Sequence, residues 1–259
     1  GKLFTAGLIP GILLSLSFMV YIGISNMGKG GKREEVITLR EKLRMSRFLI
    51  PPAVVFGIVM GSIYMGIATA TESAALGVMT ALFFSWRAGR LNMKFLQESF
   101  IQTARITGMI LLIITAAFVL NLTISLTGVV DELTDWVTSF GLSTTGLLLV
   151  LIVFYLALGM FMDVLSMQVL TIPITYPIVT ALGVDPIWYG VFVVLMCELA
   201  LITPPVGMNL FVVQSVRKDG GNIQDVMWGV LPFMLIMMLF TLSLMAFPEI
   251  ALWLPNMMS

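Results

Sequence analysis

The chain has 259 residues, 59% of them hydrophobic and 11% charged, with mean hydropathy +1.04 and a formal net charge of zero. A soluble domain carries about 25% charged residues, so this chain has too little charge to cover a water-facing surface, and it lacks the basic excess of a nucleic-acid binder. It holds no histidine and one cysteine, Cys197, inside an apolar run, which excludes His/Cys zinc ligation, a Ser-His-Asp triad and an internal disulfide.

Several apolar runs approach or exceed the ~18–20 residues that span a bilayer, and the composition predicts an all-α polytopic membrane protein. The chain begins at Gly1-Lys2 and runs straight into a spanning segment without a signal-peptide layout, so further N-terminal sequence is expected in the whole protein. Residues 3–25 make the first span, bent at Pro10-Gly11. Residues 26–47 form a polar loop with Lys29, Lys32, Arg33, Arg40, Lys42, Arg44 and Arg47 against Glu34, Glu35 and Glu41. The excess of basic charge predicts a cytoplasmic loop. Residues 48–86 read as two passes joined by an outward turn, Ala68-Thr69-Ala70-Thr71-Glu72-Ser73. Glu72 is either a functional intramembrane carboxylate or an interfacial one that caps Thr71 or the next helix. Residues 87–105 return to a basic, amphipathic connection (Arg87, Arg90, Lys94, Arg105), again predicted cytoplasmic. A span over 106–127 leads to the acidic connection Asp131, Glu132, Asp135 and Trp136, which is expected outside.

The pattern then changes. Two apolar helical stretches, 146–160 and 167–182, are joined by Phe161-Met162-Asp163-Val164-Leu165-Ser166, a joint with no Lys or Arg. Both stretches are short for a span, and a re-entrant hairpin that turns at mid-membrane accounts for both features. After the turn at Asp185-Pro186, residues 187–214 cross inward but are interrupted by Thr203-Pro204-Pro205-Val206-Gly207. Two consecutive prolines remove two backbone donors, so the helix is expected to break near Leu201–Thr203 and restart near Pro205. Arg217 and Lys218 place the loop 215–225 inside, and 226–247 makes the last outward pass, leaving the C-terminus outside. The sequence thus divides into scaffold and arm helices over 1–144, a transport element over 145–214, and a final loop and span over 215–259.

A broken helix in a bilayer exposes carbonyls at one half-helix end and N–H groups at the other, and these persist where they line a cavity. Carbonyl ends suit a small cation such as Na⁺, and N–H ends an anionic group. A hairpin tip (Gly159 to Ser166) beside a broken helix (Ala200 to Asn209) is therefore a candidate ion and substrate cradle, with Asp163, Ser166, Pro204, Pro205 and Asn209 as its substrate-facing members. Asp163 can orient the tip, act on a cation indirectly, carry a proton, or simply cap the second hairpin helix. Glu198, one turn before the break, is either structural or part of ion coupling. An intramembrane aspartyl protease would need two facing carboxylates, for which Asp163 and Glu198 are the only deep candidates in this stretch.

The runs Gly159-Met160-Phe161-Met162-Asp163, Ile172-Pro173 with Pro177, Gly183-Val184-Asp185-Pro186 and Leu201-Ile202-Thr203-Pro204-Pro205-Val206-Gly207-Met208-Asn209-Leu210-Phe211 resemble the large (DctM-type) membrane subunit of TRAP transporters. Ile9-Pro10-Gly11, Thr71-Glu72-Ser73-Ala74-Ala75 and Trp253-Leu254-Pro255 agree, and the resemblance covers essentially the whole chain. It implies an elevator-type secondary transporter of the bacterial inner membrane. Such a transporter imports carboxylates (a C4-dicarboxylate or a sialic acid) with a sodium gradient, works with a small membrane subunit and a periplasmic solute-binding protein, and needs no cofactor beyond Na⁺. The family has two inverted repeats, each a hairpin followed by a broken helix, and this sequence resembles the second. The resemblance places sodium on backbone oxygens near Gly159, Met162, Ala200, Thr203 and Val206. Many members have Gly at the position of Ala200 and Pro at that of Ala70. Another sodium- or proton-coupled anion transporter of similar repeat architecture is the alternative.

Overall fold

The computed structural model describes residues 2–27, 41, 46–129, 132, 135, 136, 139, 141, 143–205, 207–217 and 220–257. Most of the loop 26–47, together with Asp131, Val206 and Lys218, lies outside these residues. The described secondary structure is entirely helical: α1 (Lys2–Asn26), a 3₁₀ turn (Arg47–Leu49) leading into α2 (Ile50–Tyr64), α3 (Ala70–Arg87), α4 (Met93–Thr127), α5 (Thr144–Gly159), α6 (Val164–Ala181), α7 (Pro186–Ile202), α8 (Met208–Val216), α9 (Ile223–Ala246) and α10 (Glu249–Met257). Among the described residues five helical segments, α1, Arg47–Tyr64, α4, α6 and α9, are long and apolar enough to cross a membrane. Their outward faces are apolar: Leu112 and Phe118 of α4 are more than two-thirds exposed, and α4 buries none of its own residues. Such faces suit lipid, not water. The fold is that of an all-α polytopic membrane protein.

The chain forms two compact units, one over 26–108 and one over 2–25 with 109–259. In the first, α2 and α3 pack as an antiparallel pair. Inside it Ser73 donates to Ser62 Oγ (2.8 Å), whose own proton goes to the Val59 carbonyl (2.9 Å). Gly66 turns the chain at φ +67°, and Thr69 then caps α3. Its hydroxyl oxygen accepts from the Glu72 amide (3.3 Å), while Glu72 Oε2 accepts from both the amide and the hydroxyl of Thr69 (2.8 Å each). In this reciprocal capping box Glu72 closes the start of α3, with Thr69 and not Thr71 as partner. The connection expected over 87–105 is much shorter, because α4 begins at Met93 and runs unbroken for 35 residues. No proline interrupts 93–127, so the amphipathic segment is simply the first turns of the long helix.

The second unit is organised around α7, which packs against α5, α6, α8, α9 and α10. Trp188, Tyr189, Phe192, Leu195, Met196, Leu199 and Ala200 are all buried there. Asp185 starts α7 by accepting from the amides of Ile187 (2.8 Å) and Trp188 (3.0 Å) at Oδ1, and Trp188 Nε1 donates to the Leu244 carbonyl of α9 (3.3 Å). α5 and α6 form the expected hairpin, their bases joined where the Thr144 hydroxyl donates to the Leu182 carbonyl (3.3 Å).

Between these helices lies a buried hydroxyl network. Thr171 donates to the Met167 carbonyl and Thr175 to the Thr171 carbonyl, each at 2.8 Å. Those protons being spent, Tyr155 must donate to Thr171 Oγ1 (2.9 Å), and Tyr189 donates to Thr175 Oγ1 (2.6 Å). The two tyrosine oxygens lie 3.4 Å apart. One residue of α5, two of α6 and one of α7 are thereby joined in an apolar interior, where an unmade hydrogen bond costs more than a made one contributes. Tyr189→Phe keeps the ring and removes one donor. The expected loss is about 1 kcal/mol of stability in the solubilised full-length protein, read as a lower thermal midpoint, while Tyr176→Phe, at an exposed position, should leave the midpoint unchanged.

Candidate hairpin-tip site

α5 ends at Gly159, and the Leu158 carbonyl accepts from the amides of both Phe161 and Met162 (2.9 Å each), folding the chain back on itself. Asp163 then opens α6 as its N-cap, with Oδ2 accepting from the Ser166 amide (3.1 Å) and its carbonyl from the Met167 amide (2.9 Å). This is the capping role open to Asp163 from sequence, and it contributes on the order of 1 kcal/mol to a helix start.

Opposite the tip, α7 ends at Ile202. Thr203 is buried and extended (φ −82°, ψ 120°). Its amide donates back to the Ala200 carbonyl (3.1 Å) and its hydroxyl to the Leu199 carbonyl (2.7 Å), so the side chain replaces the amide that a continuing helix would supply. Pro204 and Pro205, joined by a cis peptide bond, have no N–H to offer the carbonyls of Ala200 and Leu201. The Gly207 amide donates to the Thr203 carbonyl (3.0 Å), and α8 resumes at Met208, three residues later than the expected restart near Pro205. The reason is space: a Cβ on Gly207 would lie 2.7 Å from the Leu201 carbonyl oxygen and 3.0 Å from the Thr203 amide nitrogen. The loop turns so tightly that its last residue is still folded against the end of α7.

Tip and break touch directly. A Cβ on Gly159 would collide with the Ala200 side chain and lie 2.8 Å from the Ala200 Cα. The methyl of Ala200 occupies the space that Gly159 leaves bare, so the close approach survives with alanine on one side because glycine stands on the other. Beside this contact lies a cavity of about 220 Å³ lined by Gly159, Phe161, Met162, Asp163, Val164, Ala200, Leu201 and Met208. Four of the sequence candidates, Gly159, Met162, Asp163 and Ala200, therefore share one cavity. Thr203 is buried in the adjoining break, Pro204 and Pro205 form its outer turn, and Ser166 enters through the hydrogen bond that caps α6.

Other candidates lie elsewhere. Asn209 lines a separate cavity of about 360 Å³ between α8 and α9, with Ile202, Leu210, Val213, Arg217 and Phe233 among its walls. Glu72 belongs to the other compact unit. Glu198 lines a groove between α1 and α7. Asp163 and Glu198 thus do not face one another across a common cavity, and the carboxylate pair of an aspartyl protease is not assembled. The tyrosine and threonine network was not anticipated; its signal was the Thr171/Thr175 spacing of four, which puts both hydroxyls on one face of α6. Cys197 is buried and accepts from the Gln168 side-chain amide (3.3 Å). Among the described residues no group of His, Cys, Asp and Glu could hold a metal ion.

Comparison with known proteins gives this site a context. Residues 1–250 match the family model of the tripartite ATP-independent periplasmic transporter, DctM component. The chain is 34% identical to the C4-dicarboxylate TRAP transporter large permease protein DctM of Pseudomonas aeruginosa, over 99% of this chain and 60% of that protein. It is 32% identical to the protein of the same name in Rhodobacter capsulatus, over 100% of this chain and 58% of that one. It is 30% identical to the sialic acid TRAP transporter large permease protein SiaM of Vibrio cholerae, over 99% of this chain and 60% of that protein. The chain therefore spans about three-fifths of the length of these three relatives. These relatives are named as transporter permeases and not as enzymes. An all-helical membrane chain whose hairpin tip meets a double-proline break, matched along nearly its whole length, belongs to the family of DctM components of tripartite ATP-independent periplasmic transporters.

Proposed function

We propose that this chain is the second-repeat part of a sodium-coupled importer of carboxylates, and that the cavity at the hairpin tip is its ion and substrate cradle. The observation that carries the reading is the direct contact of Gly159 with Ala200 beside that cavity. It brings two irregular backbone segments together where helix ends expose polar groups, an arrangement that in lipid persists only around something polar. Backbone oxygens near Gly159, Met162, Ala200, Thr203 and Val206 would hold Na⁺. Asp163, Ser166, Pro204 and Pro205 would border the carboxylate. A small membrane subunit and a periplasmic binding protein would complete the transporter, with Na⁺ as coupling ion and no cofactor.

The relatives' names support C4-dicarboxylates and sialic acid as substrate classes. The basic residues of the loops support an inner-membrane orientation with 26–47, 87–92 and 215–225 cytoplasmic and the C-terminus periplasmic. The hydroxyl network supports movement of α5, α6 and α7 as one body, the elevator mode, since sliding α6 on α7 would break its bonds where no water replaces them.

The test uses the full-length protein with its small subunit in proteoliposomes, following uptake of a labelled C4-dicarboxylate or sialic acid. Uptake should require both the binding protein and an inward Na⁺ gradient. Thr203→Val, which removes the hydroxyl bonded to Leu199, should reduce it by about tenfold, the cost of ~1.4 kcal/mol. Uptake indifferent to Na⁺ and to the binding protein would sink the reading.

A further inference from the structure

The pairing of α2 with α3 fixes what stands at its far end. Ser62 and Ser73 meet near the turn (2.8 Å), and farther along a Cβ on Gly77 would lie 2.9 Å from Val59 Cγ2. Arg47 comes twelve residues before Val59 and Arg87 ten after Gly77, so both lie roughly 15–18 Å beyond that contact in the same direction. Gly89, at φ +66°, then turns the chain and leaves Arg90 at the same end. Three arginines of one compact unit are thereby gathered at one end of the helix pair, all of them exposed.

Their guanidinium groups are not spent on the helix ends. The last carbonyls of α3 are served by main-chain amides: Ala88 donates to Phe84 (2.9 Å), Gly89 to Trp86 (2.9 Å) and Arg90 to Ser85 (3.0 Å). No arginine side chain is needed to close the helix. Among the described residues none of the three has a carboxylate within ion-pair distance, and Glu98 of α4 is taken by Lys94 (3.9 Å). Next to the arginines the surface is aromatic and bare. Phe48 and Trp86 are 74% and 66% exposed, and the ring of the exposed Phe83 lies 6.3 Å from that of Trp86. Phe83, Trp86 and Arg87 share one face of α3 by their spacing of three and four, while Arg47 is held over the Phe48 ring (5.8 Å). Cations beside uncovered rings are the groups found at the rim of a bilayer, where aromatic side chains sit at headgroup level.

We infer that the arginine end of the α2/α3 pair binds an anionic phospholipid, its phosphate groups taken by Arg47, Arg87 and Arg90 and its acyl chains laid along Phe48, Phe83 and Trp86. Charge complementarity chooses the occupant. Three guanidinium groups without a carboxylate match a lipid with two phosphates better than one with a single phosphate, and a zwitterionic headgroup brings no net charge. The planar fork of each guanidinium takes two phosphate oxygens at once. The rings beside them select a phosphate that carries acyl chains over a free one, since a soluble anion would leave them uncovered. None of these residues lies in the hairpin-tip cavity, so the site stands or falls independently of the transport reading.

The experiment is native mass spectrometry of the full-length protein released from detergent micelles that contain cardiolipin, phosphatidylglycerol or phosphatidylcholine. The expected result is a retained adduct with cardiolipin, about tenfold weaker retention of phosphatidylcholine, and phosphatidylglycerol between the two. Arg47→Gln, Arg87→Gln and Arg90→Gln should each weaken cardiolipin binding about fivefold, and the triple variant about a hundredfold. Arg47→Lys, Arg87→Lys and Arg90→Lys together keep the charge and should lose far less, which separates lost charge from a lost fold. Lys94→Gln, which removes a cation already paired with Glu98, should change nothing. Equal retention of cardiolipin and phosphatidylcholine overturns the inference, as does a triple glutamine variant that binds cardiolipin like the unaltered protein. So does full displacement of cardiolipin by millimolar inorganic pyrophosphate, which would mark a site for a free phosphate and not for a lipid.

Discussion

Gly159→Ala is expected to unseat the hairpin tip from the broken helix. The added methyl would fall on the Ala200 side chain and within 2.8 Å of its Cα, and a backbone atom of a packed helix cannot rotate out of the way. The cost should therefore sit at the upper end of the roughly 1–3 kcal/mol that overpacking brings, and the thermal midpoint of the solubilised full-length protein should fall accordingly. The same geometry names the cure. Ala200→Gly vacates the methyl that causes the worst of the collision but leaves the Cα in place, so the double variant should recover part of the loss, while Ala200→Gly alone should cost about 1 kcal/mol, the scale of glycine in a helix interior. Equal midpoints for Gly159→Ala and the double variant would show that tip and break do not meet through this pair. The reciprocity also explains why Ala200 is compatible with so close an approach: the requirement falls on the pair of positions, and Gly159 meets it.

A second large effect is expected from Gly207→Ala. Here the methyl would meet the Leu201 oxygen at 2.7 Å and the Thr203 nitrogen at 3.0 Å, both main-chain atoms of the helix end that the loop closes upon. The break must widen, which pulls the Gly207 amide from the Thr203 carbonyl now 3.0 Å away. Hydrogen–deuterium exchange separates this from the first case. Gly207→Ala should speed exchange over 199–210 and leave the amides of Phe161 and Met162 as slow as before. Gly159→Ala should speed both segments. Unchanged exchange over 199–210 in the Gly207 variant would refute the tight closure of the loop.

How far the sequence foretold these features depends on how local each one is. The double proline, the Asp163 cap and the hairpin could be read directly, because each is decided within a few residues by a missing N–H or a cap. The restart of α8 at Met208 could not, since it depends on where the chain folds back after Pro205. Glu72 could be read as a cap but not assigned to Thr69, a partner three residues away that shares its turn with a second threonine, Thr71. Least legible were contacts distant in the chain. Nothing near Gly159 announces that Ala200 will lie against it, and nothing around Tyr155 announces Tyr189. Asn209 shows the converse error of nearness: it follows the break closely in sequence, yet its cavity opens toward α9.

The hydroxyl network also limits how this architecture can be altered piecemeal. Tyr155, Thr171, Thr175 and Tyr189 come from three helices but are joined by hydrogen bonds of fixed direction that end on the Met167 and Thr171 carbonyls. A hairpin exchanged between relatives without its α7 would bring the Thr175 acceptor to a surface that has lost its Tyr189 donor. Residues 144–202 are therefore the smallest portion of the chain that can be grafted as a unit, and a chimaera whose junctions fall outside that span should fold where one cut between α6 and α7 does not.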